Sequence, residues 1–305
     1  MPIVHYIVAE NLLSIDLPEG VDVDQCLPSF VDFKVSEVPS GIFQINLKVV
    51  FETTDYTSNN PKLLSDISIV WGDRFKFEED ESYYITSVEN MDKSDKRIWQ
   101  MLSSKNFHNS TIYAREEDIY QTNILSWLVM VAFGQSVLAN DTALIHASVV
   151  SNAAYGVAFL GKSGTGKSTH SRLWIKHNAG FRLLNDDNPA IRIQKDGSAR
   201  IYGTPWSGKT PCYINKSLPL KAIVRLDQAP NNQFVWKNKG AQGLLTLLPS
   251  FTALRWNKTI FSSMINILEN IMHTVAVGHL YCLPDEGAAT LCYQEINNIN
   301  NLNNE

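Results

Sequence analysis

GVAFLGKSGTGKS, residues 156–168, joins an apolar run to a loop that is rich in glycine. Its last eight residues match the phosphate-binding pattern G-x-x-x-x-G-K-[ST] at every fixed position. Gly161, Gly164 and Gly166 let the backbone take turns that a Cβ would hinder, so successive N–H groups can face phosphate oxygens. A strand comes before such a loop and a helix follows it, and the apolar run supplies the strand. The stretch therefore predicts an α/β nucleotide-binding domain.

The loop also carries the groups that a nucleoside triphosphate requires. Lys167 would bring a compact positive charge to the outer phosphates, and Ser168 would place a hydroxyl on Mg2+. The alternative is a glycine-rich surface turn that ends in a lysine by chance. The predicted nucleotide-binding residues are the loop and the start of the helix after it: Gly161, Lys162, Ser163, Gly164, Thr165, Gly166, Lys167, Ser168 and Thr169.

Composition limits the partners of the chain. Its 305 residues are 44% hydrophobic, which is enough for one large domain or two modest ones. The net charge of −5 lacks the basic excess of a nucleic-acid or anionic-membrane binder, so we expect a small molecule, a peptide or a protein as partner. The cysteines form no C-x-x-C pair and no metal-ligand spacing, and we expect reduced thiols at Cys26, Cys212, Cys282 and Cys292.

No stretch of the sequence predicts export or membrane insertion. Residues 1–13 contain no basic segment followed by an apolar core. The longest apolar run, residues 124–133, is far shorter than the roughly 20 residues that span a bilayer. We therefore expect a cytoplasmic protein without a membrane partner.

The character of the chain changes near residue 110. Short alternating stretches separated by polar turns predict a β-rich N-terminal domain over residues 1–112. Residues 116–140 begin with acidic side chains and are apolar around most of their circumference, which predicts one largely buried helix. The main domain is predicted over residues 113–296, and residues 297–305 are expected to be a disordered tail.

The second half of the chain alternates between strand and helix patterns. Apolar runs bounded by turns predict strands, and apolar residues spaced along one face predict helices. Strands are predicted at residues 143–150, 156–160, 220–228 and 279–283, with strand character on both sides of residues 186–187, and helices at residues 167–177, 259–277 and 285–296.

Two adjacent carboxylates, Asp186 and Asp187, follow an apolar approach and therefore lie at a predicted strand end. A magnesium triphosphate complex needs a carboxylate beside the loop hydroxyl, and a transferase needs a group that accepts the proton of the nucleophile. The two aspartates could supply both groups. The alternative is a solvated turn, because D-D-N-P is also a common turn sequence.

The stretch from His146 to Arg192 resembles the core of HPr kinase/phosphorylase. The shared features are a strand that opens with His146, a step of 15 residues to the first loop glycine, the loop G-x-S-G-x-G-K-S and the sequence R-L-x-x-D-D-N at residues 182–188. The loop also resembles that of the ATP-dependent phosphoenolpyruvate carboxykinases. The resemblance implies an α/β fold with a phosphoenolpyruvate-carboxykinase-like P-loop domain, here preceded by a β-rich domain that could select the substrate.

The resemblance also implies roles for individual residues. Asp186 would be the general base toward a hydroxyl, and Asp187 would bind the metal directly or contact one of the metal's ligands. These two assignments could be reversed. His146 would contact a phosphate or the substrate, and with Asp186 and Lys167 it forms the expected catalytic set. The alternative for His146 is a histidine that is hydrogen-bonded in a buried strand.

The sequence departs from the family pattern at two places. Thr169 and His170 stand where HPr kinases usually carry a glutamate after the loop serine, and the later glycine-rich segment of the family is absent. Both departures argue against HPr itself as the acceptor. Residues 203–209 instead resemble a segment of smaller HPr-kinase-like proteins, some of which phosphorylate peptide serines. Candidate substrate or phosphate contacts here are Arg200, Trp206 and Lys209, and the alternative is an ordinary turn with Trp206 packed in the core.

The expected activity is that of a kinase, a phosphotransferase that acts on an alcohol group. The γ-phosphoryl group of ATP, or of another nucleoside triphosphate, would pass with the help of Mg2+ to a serine or other hydroxyl on a peptide, protein or small molecule. The alternative is a nucleotide-binding sensor or peptide-binding partner with little or no turnover. HPr kinases form hexamers, and the sequence leaves open whether this chain forms a homo-oligomer.

Overall fold

The chain folds into two compact units, Met1–Val137 and Leu138–Glu305. The computed structural model describes residues 3–52, 56, 58, 60–70, 73–90, 98–208, 210–237 and 240–299. Both units combine large β-sheets with helices, so the fold is mixed α/β.

The first unit is built on one mixed sheet. Its strands are β1 (Ile3–Val8), β2 (Asn11–Asp16), β3 (Lys34–Val35), β4 (Gln44–Val50), β5 (Lys62–Val70), β6 (Asp73–Glu79), β7 (Tyr84–Asn90), β8 (Ile98–Ser103) and β9 (Asn109–Tyr113). Over the described residues these nine strands lie in the order β3-β1-β2-β4-β9-β8-β7-β6-β5. Strand β4 is parallel to both β2 and β9, and the other neighbours are antiparallel.

The predicted helix at residues 116–140 is two helices and a 3-10 turn. The first unit contains α1 (Val23–Cys26), α2 (Glu116–Gln121), α3 (Ile124–Ser136) and a 3-10 turn at Pro28–Phe33. A second 3-10 turn, Val137–Asn140, begins at the last residue of this unit. The break comes at Thr122, whose backbone is extended with φ −130° and ψ 169°. Its Oγ1 donates to the Asp118 carbonyl at 2.8 Å and accepts from the Ile124 N–H at 3.2 Å, so it caps both helices.

The boundary between the units lies between Val137 and Leu138, just after α3, whereas the sequence predicts a boundary between residues 112 and 113. Helix α3 packs against β4, β8 and β9 of the first sheet, and Trp127 lies 6.5 Å from Phe75 between ring centroids. Helix α2 is anchored by its buried Asp118, which accepts a 2.8 Å hydrogen bond from Trp99 Nε1. These contacts assign the helices to the first unit.

The second unit has a sheet with helices packed on it. Its strands are β10 (Thr142–Leu144), β11 (Ala147–Ser151), β12 (Gly156–Leu160), β13 (Arg182–Asp187), β14 (Ala190–Ile193), β15 (Ala199–Tyr202), β16 (Ser217–Gln228), β17 (Gln233–Trp236) and β18 (Ala276–Cys282). Its helices are α4 (Lys167–His177), α5 (Gly240–Leu247), α6 (Lys258–Thr274) and α7 (Glu286–Asn297), with a 3-10 turn at Leu248–Ser250. In the part of the chain that the structure describes, no helix is both long and apolar enough to cross a membrane.

The strand order of the second unit places the glycine-rich stretch near the middle of the sheet. The order is β10-β14-β15-β16-β12-β11-β13, with β18 beside β16 and β17 beside β18. Strands β12, β16 and β18 are parallel to one another. Strand β11 lies between β12 and β13 and is antiparallel to both, so β12 and β13 end at the same edge of the sheet.

The predicted strand at residues 143–150 is two strands, β10 and β11. Between them Ile145 forms a bridge with Phe251, and the His146 N–H donates to the Ser250 carbonyl at 2.7 Å. Strand β10 then pairs with β14, whereas β11 pairs with β12 and β13. The chain therefore changes partners at residues 145–146, which its continuous apolar pattern does not reveal.

Helix α4 buries His170 in an apolar environment. The side chain is 3% exposed, and its ring lies 4.6 Å from that of Phe159 in an edge-to-face arrangement. Its Nε2 is buried without a hydrogen-bond partner among the described residues. Burial lowers the pKa of His170 to about 4, so the folded chain holds this imidazole in its neutral form.

This burial predicts a loss of stability in mild acid. The unfolded chain protonates His170 below about pH 6.5, whereas the folded chain resists protonation down to about pH 4. Stability from this residue is thus complete above pH 6.5, and we expect it to fall by on the order of 3 kcal/mol as the pH approaches 4. Urea unfolding at several pH values gives the free energy of unfolding of the wild type and of His170→Leu. The wild type should lose more stability than the variant as the pH falls, and an equal loss in both proteins would contradict the prediction.

Candidate active site

Three separate segments of the second unit meet at one edge of its sheet. Ala147, the first residue of β11, pairs with Leu160 at the end of β12 and with Asp187 at the end of β13. His146 comes just before Ala147, and the glycine-rich loop (residues 161–166) begins just after Leu160. The register therefore brings His146, the glycine-rich loop and the two aspartates together.

Backbone geometry explains the glycines of this loop. Gly164 and Gly166 have φ of +83° and +97°, values that residues with a Cβ rarely adopt. A Cβ on Gly161 would overlap the Thr165 hydroxyl and lie 3.2 Å from the Leu226 carbonyl oxygen. Helix α4 starts directly after Gly166 without a side-chain cap, so its first N–H groups stay available to an anion. The predicted strand, loop and helix over residues 156–177 are all present.

The Lys167 side chain folds back onto the glycine-rich loop and contacts its backbone carbonyls. Its Nζ donates to the Gly161 carbonyl at 3.0 Å and contacts the Lys162 carbonyl at 3.5 Å. Burial lowers the pKa of this amine and Arg225 lowers it further, while Asp187 and Asp186 oppose the shift. The ammonium is thus placed among backbone carbonyls and two carboxylates, next to the helix N-terminus.

A chain of hydrogen bonds runs from Lys167 through His146 to Asp187. Lys167 Nζ lies 2.9 Å from His146 Nε2, and His146 Nδ1 lies 2.9 Å from Asp187 Oδ1. An ammonium only donates, so this arrangement suits a His146 ring that accepts at Nε2 and donates from Nδ1 to the Asp187 carboxylate. Asn188 completes the chain by donating to Asp187 Oδ2 at 3.0 Å. The His146 side chain is 40% exposed, which differs from a histidine buried in a strand.

Asp186 has a different partner from Asp187, namely the hydroxyl of Ser168 at the start of α4. Ser168 Oγ donates to Asp186 Oδ1 at 3.0 Å, and Asp186 is only 6% exposed. The two adjacent aspartates therefore have different neighbours, because successive residues of a strand point to opposite faces. Asp186 lies with Ser168, and Asp187 lies with His146.

Asp187 has a strained backbone that its surroundings hold in place. Its φ is +146°, a region that non-glycine residues rarely occupy. It forms a bridge with Ser207, and the Gly208 N–H donates to the Asp186 carbonyl at 2.6 Å. A Cβ on Gly208 would lie 3.2 Å from the Asp187 Cβ, so glycine permits this close approach. Such strain is common where a side chain is held for function.

A buried amide that the sequence did not single out supports this arrangement. Asn185 is fully buried, and its Nδ2 donates to the carbonyls of Thr204 and Trp206, each at 3.2 Å. Its Oδ1 accepts from the Asn188 N–H at 3.2 Å. Asn185 thus ties the segment around residues 203–208 to the aspartate turn. A polar residue between the apolar approach and the carboxylates was the signal that could have identified it.

The remaining residues of the predicted site differ in their burial and in their hydrogen-bond partners. Arg200 is on β15, where its Nη2 donates to Ser217 Oγ at 2.9 Å, and no described hydrogen bond joins it to the glycine-rich loop. Trp206 is 4% exposed, which agrees with the alternative of a ring packed in the core. Thr169 is exposed near the start of α4, as are Lys162 and Ser163 in the loop. The prediction for residue 209 lies outside the described residues.

The site has few oxygen donors, which suits Mg2+. A metal ion whose ligands all come from protein side chains would need more of them. The described residues contain no group of three or more His, Cys, Asp or Glu side chains that could hold a metal ion. Mg2+ commonly takes one or two protein oxygens and completes its shell with water and substrate phosphates. The Ser168 hydroxyl and the Asp186 carboxylate, 3.0 Å apart, fit that requirement.

Comparisons with known proteins give structural likeness without a match in sequence. No family model and no curated protein matches the chain. Among solved structures, the chain is similar to the Hpr(Ser) kinase/phosphatase from Coxiella burnetii, with 13% sequence identity and a TM-score of 0.31. The alignment covers 52% of this chain and 97% of that chain. A likeness at this level carries no argument about function, which has to come from the site itself.

Removal of the Asn185 amide tests the support of the aspartate turn. Asn185→Leu keeps the approximate volume but leaves the buried Thr204 and Trp206 carbonyls without this donor. We expect the free energy of unfolding to fall by about 2 kcal/mol or more, measured by urea denaturation. The control Asn270→Leu, on the exposed face of α6, should change it by less than about 0.5 kcal/mol. Equal effects at the two positions would contradict this role for Asn185.

Proposed function

We propose that the chain is an ATP-dependent phosphotransferase that acts on a serine or other hydroxyl of a peptide, protein or small molecule. The observation that carries the proposal is the meeting of the glycine-rich loop with two aspartates that have separate partners, Ser168 for Asp186 and His146 for Asp187. Nucleotide binding alone would need the loop and one carboxylate. The second carboxylate, on a strained backbone, supplies the group that a transferase needs in addition.

The donor side of the proposed site consists of the loop amides, Lys167, Ser168 and Asp186. The amides at the start of α4 and the Lys167 ammonium would bind the β- and γ-phosphates of the nucleotide. Ser168 and Asp186 would hold Mg2+, which neutralises charge on the phosphates when it is bound. This pairing supports the reversed assignment of the two aspartates, in which Asp186 is on the metal side.

The acceptor side of the proposed site is formed by Asp187 and His146. The acceptor oxygen attacks the γ-phosphorus, and the bond from that phosphorus to the β–γ bridging oxygen breaks, so ADP leaves with the electron pair. Asp187 orients the acceptor hydroxyl and takes its proton. His146 holds Asp187 through Nδ1–H, which restricts the carboxylate to one orientation. Catalysis then comes mainly from positioning and neutralisation of charge.

We further propose that the second unit has a phosphoenolpyruvate-carboxykinase-like fold and belongs with HPr-kinase-like proteins. The strand–loop–helix arrangement, the histidine just before β11 and the aspartates at the end of β13 support this proposal. The first unit is the candidate for selection of the acceptor, because the loop and the aspartates all belong to the second unit.

Loss of the loop lysine tests the nucleotide site. Lys167→Ala should weaken Mg2+–ATP binding by on the order of 100-fold, since it removes the buried charge that faces the phosphates. Isothermal titration calorimetry measures the change. Lys176→Ala is the matched control, because this lysine is exposed on the same helix. The Lys176→Ala variant should bind Mg2+–ATP with the affinity of the wild type. Unchanged binding in Lys167→Ala would contradict a nucleotide site at this loop.

Paired variants separate the roles of the aspartates. Asp187→Asn should keep Mg2+–ATP binding and lower phosphoryl transfer by about 100-fold or more, because the base is lost. Asp186→Asn should abolish the increase in ATP affinity that Mg2+ produces. Both are measured by calorimetry with and without Mg2+ and by label transfer from γ-labelled ATP to serine peptides and to water. The opposite pattern would restore Asp186 as the base, and binding without transfer in the wild type would indicate a nucleotide sensor.

A further inference from the structure

Arg225 lies beside the glycine-rich loop, although the sequence motifs do not include it. It is near the carboxyl end of β16, where it pairs with Leu160, the residue before the loop. The next residue, Leu226, has its carbonyl oxygen 3.2 Å from the position that a Cβ on Gly161 would occupy. The backbone of Gly161 is therefore packed against β16 at Leu226, next to Arg225.

The guanidinium of Arg225 has weak partners for a mostly buried cation. Its side chain is 12% exposed. Nη1 donates to the Thr246 carbonyl at 3.4 Å, and Nε lies 4.0 Å from Asp227 Oδ2, the single carboxylate within that distance in the described part of the chain. A guanidinium has five N–H donors, and buried charges are normally paired closely. Most of its donor capacity is thus left for another acceptor.

Asp227 is shared between Arg225 and a second partner that lies closer to it. His279 Nε2 lies 2.8 Å from Asp227 Oδ2, much closer than Arg225 Nε. His279 is on β18 and pairs directly with Arg225 across the sheet, so the three side chains form a cross-strand cluster. The short His279–Asp227 contact holds the carboxylate, and the long Asp227–Arg225 contact leaves room for a closer acceptor at the guanidinium.

The charge of Arg225 also acts on Lys167. Burial is the main cause that lowers the pKa of Lys167, and repulsion by Arg225 adds to it. Two cations that repel each other near the glycine-rich loop, one of them weakly paired, create a field that favours an anion with several charges. A polyphosphate has that chemistry.

We propose that Arg225 is a second phosphate-binding side chain, which contacts the γ-phosphate of the nucleotide together with Lys167. This inference rests on the proposed function and adds a residue to the same site. Arginine suits this position because its planar fork can hold two phosphate oxygens at once, whereas Lys167 acts as a point charge. Asp227 and His279 are positioning residues that act through Arg225.

Nucleotides that differ by one phosphate test the proposal. Arg225→Met retains most of the side-chain length and loses the charge. We expect it to weaken Mg2+–ATP binding by about 10-fold or more and Mg2+–ADP binding by less than about threefold, because the γ-phosphate contact is lost. Arg225→Lys should recover part of the ATP affinity. Arg172→Met, which removes the same charge from the exposed face of α4, should bind both nucleotides like the wild type.

The outcomes distinguish this inference from the proposed function. If Lys167→Ala loses ATP binding and Arg225→Met retains it, the site is a nucleotide site and the role of Arg225 is wrong. Equal losses for ATP and ADP, or a lower melting temperature with an unchanged ATP-to-ADP affinity ratio, would assign Arg225 a structural role. If Arg225→Met does not fold, the same ratio measured in Arg225→Lys decides, and an unchanged ratio overturns the proposal. Failure of the wild type to bind either nucleotide would overturn both.

Discussion

The position of β11 between β12 and β13 is the constraint on which the candidate site depends. Ala147 pairs with Leu160 on one side and with Asp187 on the other, so one register sets where the loop, the histidine and the aspartates lie. A slip of one residue in either pairing would turn the side chains of the slipped strand to the opposite face of the sheet. Backbone hydrogen bonds of the sheet therefore set the geometry of the charged side chains.

Charge balance is the second property that unites the site. Two cations, Lys167 and Arg225, stand near two carboxylates, Asp186 and Asp187, in a partly buried edge of the sheet. Each carboxylate has its own partner, and the Lys167–His146–Asp187 chain joins the loop to the strained turn. In the proposed function, a polyphosphate gives both cations new partners and so rearranges contacts that already exist in the folded chain.

Sequence patterns predicted the local features well, because strand and helix periodicity and loop glycines depend on neighbours in the chain. Helix α4 matches its predicted bounds of residues 167–177, and the aspartates do end a strand. The breaks at Thr122 and at residues 145–146 were missed, because each depends on a side-chain cap or on a change of strand partner. The buried role of Asn185 was missed because its partners lie far from it in the sequence, and helix α5 was missed as well.

The sequence by itself determined which groups are present: a loop whose glycines permit φ above +80°, a lysine, a hydroxyl, a histidine and two adjacent carboxylates. Only the tertiary structure decided how they pair. Asp186 meets Ser168 and Asp187 meets His146 because successive residues of β13 point to opposite faces. Arg225 comes 39 residues after Asp186 in the chain and lies on β16, which is connected to β11 through β12. Pairing between distant strands is set by backbone hydrogen bonds and core packing across the whole unit, and no local pattern contains that information.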